Sequence, residues 1–265
     1  MGKLDGKVAV VTGAAMGNGR GAALKLAEHG ATVMLWDVQE SVHATAAAIS
    51  EQTGSATEAF VVDIRDAPRV EAVVGGIIAK HSTIDILVNN AGVCNVVPFL
   101  EMSDDVRDKM FGVNIMGTWN CSKAVLGHMV RANYGKVVNL SSVTGPMVVD
   151  AGETAYALTK AAIWGLTKAL AAEFAGHNIT VNAVCPGYIA TSMAESIARE
   201  SNPDDPGKVL GGIAAAVPMG RLGTIEELGD LVAFLASDES RYITGTQVVI
   251  DGGSTLPETF SAVGI

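Results

Sequence analysis

Two stretches in the second half of the chain carry residue types able to move a proton. Ser142 follows an apolar run over residues 135–140, and Tyr156 and Lys160 lie four residues apart further on. On a helix, an i, i+4 pair shares one face. A nearby ammonium group lowers a tyrosine pKa by roughly 1–3 units from its usual value of about 10. The spacing therefore predicts a general acid/base pair for near-neutral pH, with Ser142 binding a carbonyl or hydroxyl oxygen beside it.

The Tyr–Lys spacing also has an ordinary structural interpretation. Tyr and Lys four residues apart occur by chance on many helices, where they form a solvated edge. The chemistry therefore depends on what the rest of the chain places around the pair.

A glycine-rich stretch near the N-terminus is typical of a phosphate site. Gly13, Gly17 and Gly19 lie between an apolar run, Val8–Val11, and a helical pattern. Glycine lets the chain turn tightly and lets a pyrophosphate approach the N–H groups of a helix N-terminus. The spacing is G-x-x-x-G-x-G rather than G-x-G-x-x-G, and a plain βα turn is the alternative. Because the motif directly follows the first predicted strand, we predict a nucleotide site.

Two acidic residues end predicted strands. Asp37 closes the second strand, where a carboxylate is expected to accept hydrogen bonds from an adenosine ribose, although a helix N-cap is the alternative. Met16 and Val38, where a 2′-phosphate would need a cation, are uncharged. We therefore predict that NAD(H) is preferred over NADP(H). Asp63 follows the third strand and is expected to bond the adenine amino group or to cap a helix.

Further polar segments follow later strands. The sequence from Asn89 to Gly92 ends the fourth strand, and ligands bind outside the carboxyl ends of parallel strands. Asn89 itself is also expected to tie neighbouring strands together. Asn114 interrupts an apolar helical stretch, as a core amide or a functional group. The loop from Pro186 to Thr191 is either a nicotinamide and phosphate contact or a plain strand–loop corner.

The composition indicates a globular protein of the α/β class. Of 265 residues, 49% are hydrophobic and 17% charged, and the net charge is −10 without a Lys/Arg run, which argues against a nucleic-acid partner. Three widely spaced cysteines predict a reducing compartment, no disulfide framework and no metal site. No stretch approaches about 18 apolar residues, so no membrane span is expected. With no signal-peptide pattern at the start, we predict a cytoplasmic location.

Apolar runs alternate with helical patterns along the whole chain, which predicts a parallel sheet covered by helices on both faces. We expect one domain over residues 1–265. A long helix is predicted over about 104–131. The segment 188–220, with Pro203, Pro206 and Pro218, is predicted to be looser.

Taken together and in order, three motifs resemble the short-chain dehydrogenase/reductase family: T-G-x-x-x-G-x-G from Thr12, N-N-A-G from Asn89 and Y-x-x-x-K from Tyr156. The resemblance covers essentially the whole chain. It implies a Rossmann-type, doubly wound parallel sheet of seven strands in the order 3-2-1-4-5-6-7. It also implies hydride transfer between NAD(H) and a small alcohol or ketone, in a homotetramer built through helix faces and the last strand. Asn18 departs from the family, which usually has an aliphatic residue there.

The resemblance also assigns four catalytic residues. Tyr156 would exchange a proton with the substrate oxygen, and Ser142 would hydrogen-bond the same oxygen. Lys160 would lower the Tyr156 pKa and bind the nicotinamide ribose. Asn114 would hold a water that links Lys160 to solvent. Residues 188–220 resemble the family's substrate lid, which excludes water on closing.

The remaining site predictions extend these motifs. The predicted cofactor contacts are Thr12, Gly13, Met16, Gly17, Asn18, Gly19, Asp37, Asp63, Ile64, Asn90, Ala91, Gly92, Tyr156, Lys160, Pro186, Gly187, Ile189 and Thr191. The predicted substrate contacts are Ser142, Val143, Cys94, Val96, Val148, Tyr188 and Met193. Because they are mostly uncharged, a neutral alcohol or ketone of modest size is expected. A catalytically idle dinucleotide-binding regulator and an enoyl reductase are the alternatives, and the Ser–Tyr–Lys set favours carbonyl chemistry over both.

Overall fold

A parallel sheet forms the middle layer of the protein. The computed structural model describes residues 2–257, apart from the side chains at 193, 197, 200 and 201. The strands found there are β1 Val8–Thr12, β2 Thr32–Asp37, β3 Thr57–Val61, β4 Ile86–Asn89, β5 Gly135–Leu140, β6 Ile179–Pro186 and β7 Gln247–Ile250. Within the described chain they make one seven-stranded sheet in the order β3-β2-β1-β4-β5-β6-β7, and all neighbours pair in parallel. The predicted fold class and strand order are confirmed.

Helices cover both faces of this sheet. They are α1 Gly17–Glu28, α2 Val42–Thr53, α3 Ala67–His81, α4 Asp104–Met110, α5 Thr118–Ala132, α6 Thr154–Phe174, α7 Ser192–Ser201, α8 Pro206–Ala216 and α9 Ile225–Leu235. Residues of α1, α2 and α9 share one buried cluster with the sheet, and residues of α3, α5 and α6 share the other. In the part of the chain that is described, no helix is both long and apolar enough to cross a membrane.

The first strand shows why the sheet needs two helical layers. Its side chains alternate between the two buried clusters: Ala9 and Val11 belong to the cluster with α1, and Val8 and Val10 to the cluster with α3. Successive strand residues point to opposite faces, so a strand that is apolar throughout must be covered on both sides. This explains the uninterrupted apolar runs in the sequence.

The strand order reverses direction at β1. This strand pairs with β2 on one side and with β4 on the other. The chain leaves β1 for β2 on one side and returns from β3 to β4 on the other side, so a crevice opens at the carboxyl ends of β1 and β4. In open α/β sheets ligands bind at this switch point.

The long helix predicted over 104–131 is interrupted. Residues Phe111–Gly117 form a π-helical segment between α4 and α5. Such wider turns often occur at functional sites. Asn114 lies in this segment, and its side chain is almost completely buried.

The prediction of a looser segment over 188–220 is wrong, because α7 and α8 occupy most of it. Pro206 is the first residue of α8, a position that needs no backbone N–H, and the Asp205 side chain accepts a hydrogen bond from Lys208 N at 3.0 Å. The prolines therefore mark helix boundaries. Whether the segment acts as a lid stays a prediction.

Candidate active site

The loop between β1 and α1 requires glycine at several positions. Gly13 and Gly17 have positive φ angles of 64° and 55°. A Cβ on Gly19 would collide with the Gly13 carbonyl and the Asn90 side chain. The N-cap residue of α1, Met16, makes no side-chain capping bond, so the first-turn N–H groups remain suited to an anion.

A cavity of about 260 Å³ lies in front of this helix end, and its lining includes Met16, Gly17, Thr191 and Glu195. Asn18 is partly buried, and its Oδ1 atom has no hydrogen-bond partner in the described chain. The unusual residue of the glycine loop therefore brings an unpaired polar atom to the first turn of α1.

Thr12, Asn90 and Ala91 hold the two loops of the crevice together. Thr12 Oγ1 accepts hydrogen bonds from the N atoms of Asn90 and Ala91, both at 3.0 Å. Asn90 Nδ2 donates to the carbonyl groups of Thr12 and Gly13 at 2.9 and 3.0 Å. Because Thr12 is only 1% exposed, its side chain positions the loops rather than lining an open surface.

Asn89 is a hydrogen-bond hub between strands, as predicted. Its Nδ2 donates to Asn139 Oδ1 at 2.9 Å and to Ser122 Oγ at 3.0 Å. These bonds connect β4 with β5 and α5, directly below the crevice.

Asp37 lies beside the glycine loop. Its Oδ2 accepts a hydrogen bond from Ala15 N and its Oδ1 one from Gln39 N, both at 3.0 Å. The alternative of a helix N-cap is excluded, because α2 begins only at Val42. Each carboxylate oxygen keeps a second lone pair with which it can accept another donor.

Asp63 and Ile64 follow β3, at the edge of the crevice. Arg65 forms a bidentate ion pair with Asp63, with a closest N–O distance of 2.6 Å, and these hydrogen bonds hold the pKa of Asp63 below its usual range. Ile64 is buried, with its side chain against Gly117 of the π-helical segment. Only its backbone can therefore face a ligand.

The four predicted catalytic residues meet at the carboxyl ends of β4 and β5. Tyr156 and Lys160 lie one turn apart on α6, with Lys160 Nζ 5.6 Å from the centre of the tyrosine ring. Ser142 hydrogen-bonds the Tyr156 side chain. Lys160 Nζ donates to the Leu140 carbonyl at 2.8 Å.

Gly92 lies beside the side chains of Asn114 and Lys160. The position of a Cβ on this glycine would be 3.4 Å from Asn114 Oδ1 and 3.6 Å from Lys160 Nζ. The N-N-A-G motif, the π-helical segment and α6 therefore enclose one small volume.

The pKa of Tyr156 is shifted in the direction opposite to the one that the Tyr–Lys spacing predicts. Burial raises this pKa above its usual value, the nearby Cys94 and Glu153 raise it further, and the hydrogen bond from Ser142 opposes the shift. Burial also lowers the pKa of Lys160 to about 8. The pKa of Tyr156 is thus raised rather than lowered, because desolvation of the phenol is the largest effect on it. The expectation that Lys160 favours the phenolate stays a prediction.

Backbone hydrogen bonds fix the loop after β6. The Pro186 carbonyl accepts a hydrogen bond from Val143 N, and Gly187 N donates to the Ile250 carbonyl. Ile189 is 5% exposed and belongs to the buried core.

Thr191 caps α7, and its Oγ1 accepts a hydrogen bond from Ala194 N at 3.3 Å. Its methyl group lies against Gly17: a Cβ on that glycine would be 3.6 Å from Thr191 Cγ2. The start of α7 therefore contacts the glycine loop directly.

The predicted substrate contacts form a partly open wall. Val96, Val148 and Tyr188 are 42–44% exposed, whereas Val143 is buried. Cys94 lies close enough to raise the pKa of both Tyr156 and Lys160. The side chain of Met193 lies outside the described residues.

Sequence reasoning missed one charged member of this wall. Glu153 directly precedes α6, three residues before Tyr156, and Thr144 Oγ1 donates to its Oε2 atom at 3.2 Å. The i, i+3 spacing to Tyr156 was the available signal, since residues three apart share a helix face. The prediction of a mostly uncharged pocket did not include this carboxylate.

Comparison with known proteins assigns this chain to a family over nearly its whole length. A family model described as enoyl-(acyl carrier protein) reductase matches residues 13–255. Oxidoreductase UcpA of Escherichia coli K12 is 56% identical over 265 residues, which is 100% of both chains. The chain belongs to the short-chain dehydrogenase/reductase family.

Other members of the short-chain family are similar over nearly their full lengths. The 3-oxoacyl-[acyl-carrier-protein] reductase FabG of Thermotoga maritima is 37% identical over 254 residues, covering 96% of this chain and 100% of FabG. The crystal structure of levodione reductase superposes with a TM-score of 0.92 at 32% identity, covering 95% of this chain and 98% of that one. The protein is therefore an oxidoreductase of a family that binds a nicotinamide dinucleotide and acts on CH–OH or C=O groups.

Proposed function

We propose that this short-chain dehydrogenase/reductase interconverts a small alcohol and the corresponding ketone with NAD(H). The observation that carries the proposal is the environment of Tyr156, which is hydrogen-bonded to Ser142 and has Lys160 Nζ 5.6 Å from its ring centre. The site thus brings together a proton donor, Tyr156, a second hydroxyl that can bind the substrate oxygen, Ser142, and a cation, Lys160.

The crevice fits a nicotinamide dinucleotide. Gly13, Gly17 and the uncapped end of α1 suit the pyrophosphate, Asp37 suits the adenosine ribose, and Lys160 suits the second ribose. When bound, the cofactor supplies or accepts the hydride. The backbone of residues 186–189 would hold the nicotinamide end.

Tyr156 is the proposed general acid for ketone reduction. Because burial raises its pKa, the phenol keeps its proton at neutral pH and can donate it to the carbonyl oxygen. In alcohol oxidation the same oxygen would take the proton back. Ser142 stabilises the charge that develops on the substrate oxygen, and the ammonium group of Lys160 stabilises the phenolate left on Tyr156.

The preference for NAD(H) rests on Asp37. Its carboxylate is 8% exposed and is held in place by two backbone N–H groups. The neighbouring Met16 and Val38 are exposed and uncharged, and Arg65 is paired with Asp63. A 2′-phosphate would therefore meet a fixed negative charge without a compensating cation.

A homotetramer is proposed on the family resemblance together with exposed apolar side chains. Met116, Trp119 and Leu158 are each 52% exposed on or beside α5 and α6, and Val249 is exposed on β7. These are the helix faces and the strand that the family resemblance implies as contacts. Light scattering during size-exclusion chromatography measures the assembly. The cytoplasmic location stays a prediction.

The test of the proposed reaction is oxidation of NADH and NADPH with a panel of small ketones and aldehydes. We expect turnover with NADH, and a loss of roughly 10²–10⁴-fold in Tyr156→Phe, because general acid catalysis contributes about that factor. NADH binding, measured by fluorescence, should be retained in the variant.

Three outcomes would contradict the proposal. Near-normal turnover in Tyr156→Phe would remove this residue from the mechanism. NADH binding without turnover of any carbonyl would favour the idle regulator. Reduction of an enoyl thioester in place of carbonyls would favour the chemistry named in the matching family model.

A further inference from the structure

A partly buried carboxylate lies next to the catalytic tyrosine. Glu153 immediately precedes α6 and is three residues before Tyr156, so both side chains start from the same side of the helix. The Glu153 side chain makes no capping bond to the helix N-terminus. Its carboxylate is therefore directed elsewhere.

Hydrogen bonds connect this carboxylate with the catalytic serine. Thr144 Oγ1 donates to Glu153 Oε2 at 3.2 Å, and Thr144 N donates to Ser142 Oγ at 3.1 Å. Ser142 in turn hydrogen-bonds Tyr156. Glu153, Thr144, Ser142 and Tyr156 thus form one connected set on the substrate side of the site.

The segment that carries Glu153 also borders the open wall of the pocket. Val97 N donates to the Gly152 carbonyl at 2.9 Å, and a Cβ on Gly152 would be 2.9 Å from Val96 Cγ1. Tyr188 is 43% exposed on the same wall, and its pKa is raised by burial and then by the charges of Asp150 and Glu153. The carboxylate therefore acts on both sides of the space where a substrate must enter.

Few donors reach the Glu153 carboxylate. In the described part of the chain no Lys, Arg or His forms an ion pair with it, and its donors are the Thr144 hydroxyl and the backbone of Asp150. Burial raises the pKa of Glu153, and the negative charge of Asp150 raises it further. A carboxylate offers about four lone-pair sites, and a partly buried charge without a cation is costly unless donors fill those sites. A ligand that brings a donor would meet this need, and a ligand that brings a second negative charge would be repelled.

We propose that Glu153 determines the substrate class: it selects a hydrogen-bond donor on the carbon next to the reacting carbon, and it rejects a carboxylate there. The substrates are then vicinal diols, polyols and the matching hydroxy ketones, rather than hydroxy acids or oxo acids. This inference rests on the proposed alcohol–ketone reaction and adds the chemistry of the neighbouring substituent.

The size of the effect follows from Coulomb's law. Two negative charges about 6 Å apart, at an effective dielectric constant of about 20, repel strongly enough to weaken binding roughly tenfold to a hundredfold. Loss of a hydrogen bond to a charged acceptor changes affinity by about tenfold or more. Both effects favour a diol over a hydroxy acid.

Four alcohols with the same reacting CH₃–CH(OH)– unit test the inference: 1,2-propanediol, 1-amino-2-propanol, 2-butanol and lactate. NAD⁺ reduction is measured for the unaltered protein, for Glu153→Gln and for the control Glu173→Gln, an exposed carboxylate at the far end of α6. We expect kcat/KM for the diol to exceed that for lactate at least tenfold. Glu153→Gln should reduce this ratio about tenfold or more, chiefly by improving lactate, and Glu173→Gln should not change it.

1-Amino-2-propanol tests the effect of charge, and 2-butanol tests the need for a hydrogen-bond donor. The ammonium group donates hydrogen bonds and carries the favourable charge, so 1-amino-2-propanol should be used at least as well as the diol. 2-Butanol lacks the donor and should fall below the diol, with little response to Glu153→Gln. An unchanged diol-to-lactate ratio in Glu153→Gln, or a preference for lactate in the unaltered protein, would overturn the inference.

A binding measurement that does not depend on turnover tests the role of Glu153 separately from the proposed reaction. Saturation-transfer NMR on the NADH complex of Tyr156→Phe detects weak binding of the same four compounds. Binding of the diol over lactate, together with no oxidation by the unaltered protein, would support the role of Glu153 and contradict the proposed reaction. Equal binding of diol and lactate, or binding of none of the four, would contradict the substrate class.

Discussion

Asn114 holds the backbone of Val93 by two hydrogen bonds. Val93 N donates to Asn114 Oδ1 at 2.8 Å, and Asn114 Nδ2 donates to the Val93 carbonyl at 2.9 Å. The same Nδ2 also donates to Thr159 Oγ1 on α6 at 3.0 Å. The side chain therefore fixes the loop after β4 against α6, next to Lys160. The water-holding role that the family resemblance assigns to Asn114 stays a prediction.

Asn114→Ala should lower the free energy of unfolding. The substitution leaves the Val93 N–H and C=O without these partners, and each buried unsatisfied group costs about 1–3 kcal/mol. Urea denaturation followed by fluorescence measures the change. Asn114→Asp keeps an acceptor for Val93 N and should lose less stability. Equal stability of all three proteins would show that the loop does not depend on this residue.

The second prediction concerns the choice of cofactor. Two like charges about 4 Å apart repel by roughly 1 kcal/mol in water and several-fold more in a partly dry cleft. Since about 1.4 kcal/mol is a factor of ten, Asp37 should give NADH a preference of one to several powers of ten over NADPH. Isothermal titration calorimetry with both cofactors measures it.

Replacing Asp37 by Ala together with Val38→Arg should raise NADPH affinity and weaken NADH binding. Because Asp37 also accepts hydrogen bonds from Ala15 N and Gln39 N, Asp37→Asn is the matched control that removes the charge but keeps an acceptor. If the unaltered protein binds both cofactors equally well, the assignment of Asp37 as the ribose acceptor is wrong.

The pH dependence of ketone reduction should reflect Lys160. Its pKa is lowered to about 8 by burial, so it is a cation below this pH and becomes neutral above it. The pKa of Tyr156 is raised, so this residue keeps its proton over the same range. Because the cation stabilises the developing phenolate, kcat/KM should be constant near pH 7 and fall as the pH rises through about 8.

Lys160→Met provides the control for this titration. Its residual reduction rate should be low and should not show the same fall near pH 8. A reduction rate that rises through this range in the unaltered protein would mean that the neutral amine, not the ammonium group, is the active form.

Glycine substitutions should have opposite effects at two helical positions. In α3, Gly75 is exposed, and a Cβ added there would meet no described atom within 4 Å. Gly75→Ala should therefore stabilise the protein by about 1 kcal/mol through helix propensity. Gly19→Ala should destabilise it and weaken NADH binding, because its Cβ would collide with the Gly13 carbonyl. Thermal unfolding measures both variants, and shifts of the same sign would contradict this distinction.

Local patterns in the sequence are enough to predict the layered fold and the outline of the site. Strand residues that are apolar on both faces can be buried only in a sheet covered on both sides, and this pattern is local enough to read directly. Residues that directly follow parallel strands collect at one edge, which is why the glycine loop, Asp37, the Asn89–Gly92 segment and Ser142 lie at the same edge of the sheet. The strand order came from the family resemblance.

Predictions from local sequence patterns are wrong for segments whose secondary structure depends on a few residues. Three prolines over 188–220 predict an irregular chain, but Pro206 begins a helix, where its missing N–H costs nothing. Gly75 and Gly76 lie inside α3, where glycine weakens a helix, and the structure shows open space beside both. Such choices depend on where each residue lies within an element, and composition does not specify that.

The electrostatics of the site were decided only by the tertiary structure. The Tyr–Lys spacing predicts a lowered tyrosine pKa, whereas burial by atoms from several distant segments raises it. The effect of Glu153 also depends on the fold: Thr144 lies nine residues earlier in the same loop between β5 and α6, whereas Tyr188 comes from the loop after β6. Desolvation and charge interactions depend on distances in space, and those distances are set when the loops after β4, β5 and β6 pack around α6.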